Sequence, residues 1–204
     1  MQTWITSDLH VGHVKIIEYC DRPFKDVPEM NEALVTTWNE TVGPNDMVYV
    51  LGDAAMGKLD DSLPILGQMQ GRKILIPGNH DRLHPMYKAK KDYLTWERRY
   101  RMEAAFETIW PVETWHHLVD GGDRVKWCHF PYMGDSHDED RFDDWRPKDT
   151  GEWLIHGHVH DTWRQNGRMI NVGIDAWGGR ILSIEEVADM VDRAVPQRLE
   201  RIPW

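Results

Sequence analysis

The stretch MVYVLGD at residues 47–53 decides how the chain folds. Met47 to Leu51 is a continuous apolar run of strand length that follows the turn pair Asn45-Asp46 and ends on Gly52-Asp53. A run apolar on both faces belongs inside a covered sheet, where parallel strands sit. Two other runs share the design. Thr3 to Ser7 (TWITS) leads into Asp8-Leu9-His10, and Lys73 to Pro77 (KILIP) leads into Gly78-Asn79-His80-Asp81. Helical stretches lie between them: Val14 to Cys20, a helix opened by Asp26, and one from about Leu63 to Met69. Asp26 is the expected N-cap, Pro28 suits the first turn, and Met30, Leu34 and Trp38 supply a buried face at i, i+4 and i+8. Strands alternating with helices predict βαβ units around a parallel core, an α/β fold.

The second half is patterned differently. Trp115 to Val119, Arg124 to His129, Trp153 to His156, Met169 to Val172 and Arg180 to Ile184 read as short strands with little helix between them. Ser183-Ile184-Glu185-Glu186 is a capping box, and Val187, Met190, Val191 and Ala194 continue as a helix. The whole, residues 1–204, is expected to be one α/β sandwich domain with one βαβ half and one strand-rich half. Two charge runs interrupt it. Arg82, Lys88, Lys90, Lys91, Arg98, Arg99 and Arg101 oppose only Asp92 and Glu97, which suggests a basic helical insertion around 82–108. Seven acidic residues between Asp135 and Asp149 oppose Arg141, Arg146 and Lys148, in an expected long loop around 134–150. Solvated faces are the ordinary meaning of such runs.

Composition removes several classes. With 34 acidic and 24 basic side chains the net charge is -10, which speaks against coating duplex nucleic acid. No run approaches a membrane span, the first ten residues are not a secretory signal, and Cys20 and Cys128 make no disulfide framework. The expectation is a soluble cytoplasmic protein. One count departs from this plain picture: there are 11 histidines, and His156, His158 and His160 fall within five residues.

Chemistry gathers where the strands end. Asp8 and His10 follow the first run, Asp53 the second, Asn79, His80 and Asp81 the third, His129 a fourth, and His158 and His160 a fifth. Ligands of open α/β sheets bind outside the carboxyl ends of the strands. On extended chain, residues two apart share a face, so Asp8 with His10, and His158 with His160, are expected to point together. Glycines 52, 78 and 157 allow sharp turns where a ligand is presented. Taken singly, each piece reads as a turn or a core histidine; the ordered set of five reads as a metal site. Oxygen and imidazole donors without thiolate suit Mn²⁺, Fe or Zn²⁺.

In this order, D-x-H, G-D, G-N-H-D, H and G-H-x-H, the chain resembles the calcineurin-like metallophosphoesterase superfamily from residue 1 to about residue 175. The opening Thr6 to His13 (TSDLHVGH), the segment Arg22-Pro23-Phe24 and the ending Asn171-Val172-Gly173 look like its small stand-alone members in bacteria and their phages. The resemblance implies a β-sandwich of mixed sheets flanked by helices, in four layers α/β/β/α, at work in a bacterial or phage-infected cell. It further implies two divalent metal ions, Mn²⁺ first, with Fe, Zn²⁺ or Ni²⁺ as alternatives. Asp8, His10, Asp53 and His160 would hold one ion; Asp53, Asn79, His129 and His158 would hold the other, with Asp53 shared. Paired ions of this kind clamp an in-line displacement at phosphorus, and the implied nucleophile is a metal-bridging hydroxide. His80 would be the general acid for the leaving oxygen, oriented by Asp81. Met56 stands where many members carry Arg after G-D, and Asp81 replaces the Glu of the protein-phosphatase relatives. Phosphate contacts are therefore sought in His13, Arg22, Arg82 and His156.

Other motifs fail on a residue. Gly52-x-x-x-x-Gly57-Lys58 resembles a P-loop, but Leu59 has no hydroxyl for Mg²⁺. Asp138 and Asp140 open an EF-hand pattern that Phe142 breaks. The expected activity is hydrolysis of phosphodiesters, with small or cyclic nucleotides, 2′,3′-cyclic ones first, as the substrate. Phosphomonoesterase or nucleotide pyrophosphohydrolase activity is the alternative within the family. A catalytically silent binding module is the alternative outside it, and eroded ligands would mark that case.

Overall fold

The computed structural model describes residues 1–87, 92–118, 122, 124–193 and 197–204. Lys88, Lys90 and Lys91 of the basic run, Val119 of an expected strand and Ala194 of the last helix lie outside them. The first half runs β1 (Thr3–Thr6), α1 (Ile16–Tyr19), α2 (Val27–Thr41), β2 (Met47–Val50), α3 (Leu59–Leu66), β3 (Arg72–Leu75), α4 (Tyr93–Met102) and β4 (Phe106–Ile109). The second runs β5 (Glu113–His117), β6 (Arg124–Cys128), β7 (Leu154–His156), β8 (Gln165–Gly167), β9 (Met169–Asn171), β10 (Leu182–Ser183), α5 (Ile184–Asp192) and β11 (Gln197–Leu199). Two mixed sheets flanked by helices result. One has the order β10-β1-β2-β3-β4 and the other β11-β8-β9-β7-β6-β5.

Register explains why the strand ends meet. β1, β2 and β3 are parallel, with Thr6 opposite Val50 and Val50 opposite Leu75, so all three stop at one level. In the second sheet β6 and β7 are parallel, with Trp127 opposite Ile155, so His129 and Gly157 leave side by side. The sheets close on each other through Ile5, Leu51 and Ile76 from one side and Val125, Trp127, Ile155 and Ile170 from the other. Helices cover the outer face of the first sheet, burying Met30, Leu34 and Trp38 of α2, Leu63 and Leu66 of α3 and Tyr100 of α4. The outer face of the second is covered by the segment after His129: Phe130, Tyr132, Phe142 and Trp145 pack on Cys128, Leu154 and Met169. The acidic run is thus anchored by aromatic residues between its charges.

The caps are as the sequence predicts. Asp26 accepts the Glu29 N–H at 2.9 Å, and Ser183 and Glu186 exchange both capping-box bonds. Other boundaries moved. α3 begins four residues before the expected Leu63 and contains Pro64; Asp60 and Asp61 sit in its first turn, and the buried Lys73 ammonium caps carbonyls of Leu66 and Met69. Among the described residues of the expected basic helix, only Tyr93–Met102 is α-helical. Ala105 turns at φ 56°, and β4 follows as the edge of the first sheet, its Glu107 paired with Arg72 of β3 at 2.7 Å. β8 and β11 escaped the sequence reading because they are short and polar, and pairing with β9 and with each other is what makes them strands.

Candidate metal centre and cleft

The ligand pairs are not on extended chain. Asp8 (φ 59°), His10 (φ 51°), Asp53 (φ 52°), His158 (φ 70°) and His160 (φ 47°) all adopt the left-handed backbone that glycine favours. Each such residue costs about 1 kcal/mol or more, and that strain gathers at functional sites. The expectation that residues two apart share a strand face fails because these residues lie beyond the strand ends. A curled backbone, not a pleat, brings each pair together.

Neighbouring loops hold the curl. The N–H groups of Asp8, His10 and Val11 donate to carbonyls of Gly52, Asp53 and Ala54 at 3.0–3.1 Å, laying the first loop along the second. A Cβ on Gly52 would come within 2.5 Å of the Gly78 nitrogen, so the second and third loops touch through bare backbone. Asp81 ties them further. Its buried carboxylate accepts the N–H groups of Gly78 and Asp53 at 2.8 Å and the Tyr100 hydroxyl at 3.2 Å. The carboxylate is spent on the loops and none of its bonds goes to the His80 ring, which corrects the orienting role expected for Asp81.

The expected ligands converge around Asp53. Its Oδ2 lies 3.6 Å from His10 Nε2, 3.5 Å from His129 Nε2 and 3.9 Å from His80 Nε2. Asn79 Oδ1 stands 3.1 Å from both His129 Nε2 and His158 Nδ1. Ligand atoms of Asp8, His10 and His160 gather within 4.8 Å of one another, as do those of Asp8, Asp53 and His129. Asp8 Oδ1 and His10 Nε2 are buried without any hydrogen-bond partner. Orphaned acceptors in a buried carboxylate and imidazole set are what a divalent cation with oxygen and nitrogen ligands would satisfy. Burial raises the Asp8 carboxyl above its ordinary range. Burial acts the same way on Asp53, but the His129 and His80 imidazoles outweigh it and hold that carboxyl low.

Behind the histidines stand acceptors that sequence spacing did not reveal. His129 Nδ1 donates to the Leu51 carbonyl at 2.8 Å, His158 Nε2 meets Asp135 Oδ2 at 3.0 Å, and His160 Nδ1 meets Asp175 Oδ2 at 3.0 Å. Each bond frees the opposite nitrogen for the centre, the usual way a protein fixes a ligand imidazole. Asp175 is itself gripped by Arg22, with Nε at 2.7 Å and Nη2 at 3.0 Å, and both side chains are fully buried. Arg22 also donates to the carbonyls of Asp8 and Leu9 at 2.9 Å. It is therefore a scaffold residue and not the phosphate contact the sequence suggested.

A cleft of about 460 Å³ opens over the centre. His13, one of the expected phosphate contacts, lines it, and burial depresses the His13 imidazole to about 4. Two other candidates do not reach it. Arg82 is exposed and lies over Tyr87 and Trp96 at 5.4 and 5.9 Å. His156 is wholly buried in β7 with Nδ1 on the Gly157 carbonyl, and burial keeps it neutral with a pKa pushed down to about 3. Sequence reasoning missed other residues that line the cleft: Lys15, Ile16 and Tyr19 at α1, and Ser136, His137 and Arg141 from the acidic segment. Met56, in the position where many relatives carry Arg, lines it too.

A family model described as calcineurin-like phosphoesterase matches residues 1–162, which contain every expected ligand. The chain belongs to the calcineurin-like phosphoesterase family. It is 39% identical over 198 residues to the Gene 66 protein of Mycobacterium phage D29, covering 93% of this chain and 95% of that one. The Gene 66 protein of Mycobacterium phage L5 is 38% identical, over 93% and 94%. Among solved structures, a protein of unknown function from Aquifex aeolicus superposes with a TM-score of 0.66 at 25% identity, over 93% of this chain and 98% of that one. As a calcineurin-like phosphoesterase the protein is a metal-dependent hydrolase of phosphoric esters. Among its described residues, no helix is long and apolar enough to cross a membrane.

Proposed function

We propose that the cleft hydrolyses phosphodiesters of small or cyclic nucleotides, 2′,3′-cyclic ones first, in the cytoplasm of a bacterial or phage-infected cell. Asp8, His10, Asp53 and His160 hold one divalent ion; Asp53, Asn79, His129 and His158 hold the other. The observation that carries this reading is the position of Asp53 Oδ2, within 3.9 Å of the Nε2 atoms of His10, His129 and His80. One carboxylate oxygen facing a ligand from each set is what a shared ligand requires. Two divalent ions, Mn²⁺ foremost, supply positive charge for the phosphoryl oxygens and a water acidic enough to ionise near neutral pH. The chain does the rest. Asp81 and the Gly52–Gly78 contact keep the second and third loops in register, and the N–H bonds of Asp8, His10 and Val11 add the first, so the ligands stand preorganised where charge develops. His80 protonates the leaving oxygen from Nε2. Its side chain is 36% exposed at the cleft, and its backbone N–H is fixed to Asp53 Oδ1 at 2.8 Å.

The test is a panel of mono-, di- and cyclic phosphate esters with protein stripped by chelator and reloaded with Mn²⁺, Fe²⁺, Zn²⁺ or Ni²⁺. Activity on diesters should vanish on stripping and return with metal; full turnover in excess chelator would end the two-ion reading. His80→Ala should cut the rate on alkyl leaving groups by about 10²-fold or more while sparing nitrophenyl esters. Equal losses on both would remove His80 as the acid.

A further inference from the structure

The acidic segment brings a guanidinium to the cleft wall. Arg141 uses Nη2 at 2.7 Å and Nε at 3.3 Å on Asp135, the carboxylate that receives His158 Nε2. Among the described residues no hydrogen bond occupies Arg141 Nη1. The guanidinium lies 5.4 Å over the Phe142 ring, and Phe142 itself turns at φ 64° and packs 5.6 Å from the His158 ring. Arg141 is thus held from two sides before any ligand arrives, which lowers the entropy lost on binding. Its side chain is nevertheless 43% exposed and lines the cleft.

The side of His158 on which it lies tells what it would bind. His158 Nδ1 faces Asn79, Nε2 faces Asp135, and Arg141 lies beyond Asp135. An imidazole and a carboxylate therefore separate the guanidinium from the ion side of His158. A phosphate held by the centre would sit on the Nδ1 side of His158, so the anionic group that meets Arg141, on the Nε2 side, would be a second one on the same substrate. Surroundings agree: His137 and Lys15 line the same cleft, and Lys15 has no carboxylate in ion-pair distance among the described residues. Asp161, an acidic group on the rim, is engaged by Arg201.

We propose that Arg141 is a specificity residue that binds a second phosphate, carried on the ester arm that does not leave. The proposal rests on the phosphodiesterase reading and narrows its substrates to diesters bearing a further phosphate. Arg146 provides the control. It pairs with the same Asp135 at 3.3 Å and donates to carbonyls of Pro131 and Gly134, but its side chain is 6% exposed and does not line the cleft.

Two nitrophenyl diesters test it, identical in leaving group, one with a neutral second arm and one with a phosphate on that arm. Metal-loaded wild type should show a KM about tenfold lower for the phosphate-bearing ester, the size of one charge-assisted hydrogen bond. Arg141→Gln should abolish that preference, and Arg146→Gln should keep it. Equal KM values in wild type, an equal loss on both esters in Arg141→Gln, or the same loss in Arg146→Gln would overturn the proposal. If neither ester is turned over, the phosphodiesterase reading fails. Equilibrium titration of pyrophosphate into metal-loaded protein then still judges Arg141: about tenfold weaker binding in Arg141→Gln supports it, and unchanged binding refutes it.

Discussion

His158 and His160 are two residues apart, and each leans on an aspartate gripped by arginine, yet the two supports are built in opposite ways. Asp175 and Arg22 are sealed, with no exposed side-chain surface, and Trp204 lies 5.3 Å over the guanidinium. Asp135 is equally buried, but one of its partners, Arg141, stands 43% exposed in the cleft. Arg22 also holds the carbonyls of Asp8 and Leu9, so it joins the loops of both sheets. Chemically alike pairs can thus serve scaffold or cleft, and the difference lies in what surrounds the arginine. A buried pair adds little net stability but is costly to break. A half-exposed pair is cheap to break and open to a ligand.

The largest expected effect falls on the sealed pair. Arg22→Met leaves the buried Asp175 charge with His160 as its remaining ionisable partner, which should cost about 3–5 kcal/mol and lower Tm by about 10 °C. Arg141→Met should move Tm far less. Equal losses in thermal unfolding of the metal-free proteins would erase the contrast. Next comes metal binding. Asp175→Asn and Asp135→Asn should each weaken one of two Mn²⁺ binding steps by about 10–100-fold, through His160 and His158 respectively. Calorimetric titration that found two unaltered sites in either variant would deny that aspartate its role. Smallest is the response to acid. Burial opposes ionisation of both aspartates, but Arg22 and His160 around Asp175, and His158 and Arg141 around Asp135, hold their carboxyls below the ordinary value of 3.8. Carboxyls depressed by folding stabilise the protein fully above that value and lose their contribution as pH falls below it. Urea unfolding of metal-free protein at pH 6 and pH 3 should therefore show a smaller drop for Asp175→Asn than for wild type. No difference would mean the pair is already broken in the metal-free state.

Much of this was legible before any coordinates. Runs such as Met47–Leu51 advertise buried parallel strands by apolar continuity, and Asp26 and Ser183 cap helices through bonds within four residues. The ligand candidates were readable because each directly follows a strand run. Arg141 was not readable. Inside a run of acids it looks like a counter-charge on a solvated face, and only Phe130, Phe142 and Trp145 packing on the second sheet turn that run toward the centre.

Local pattern and strand-end position by themselves determined the α/β class, the helix caps and which aspartates, histidines and asparagine could take part, since those depend on short-range bonds and hydrophobic periodicity. Tertiary structure alone decided the rest: the left-handed turns that aim Asp8, His10, Asp53, His158 and His160, the work of Asp81 as a loop anchor, and which arginine is sealed and which meets the cleft. Arg22 and Asp175 are 153 residues apart in the chain and 2.7 Å apart in the molecule. Periodicity and capping act over a few residues, so no local pattern encodes such a pair; it forms only when two sheets bring their strand ends to one place.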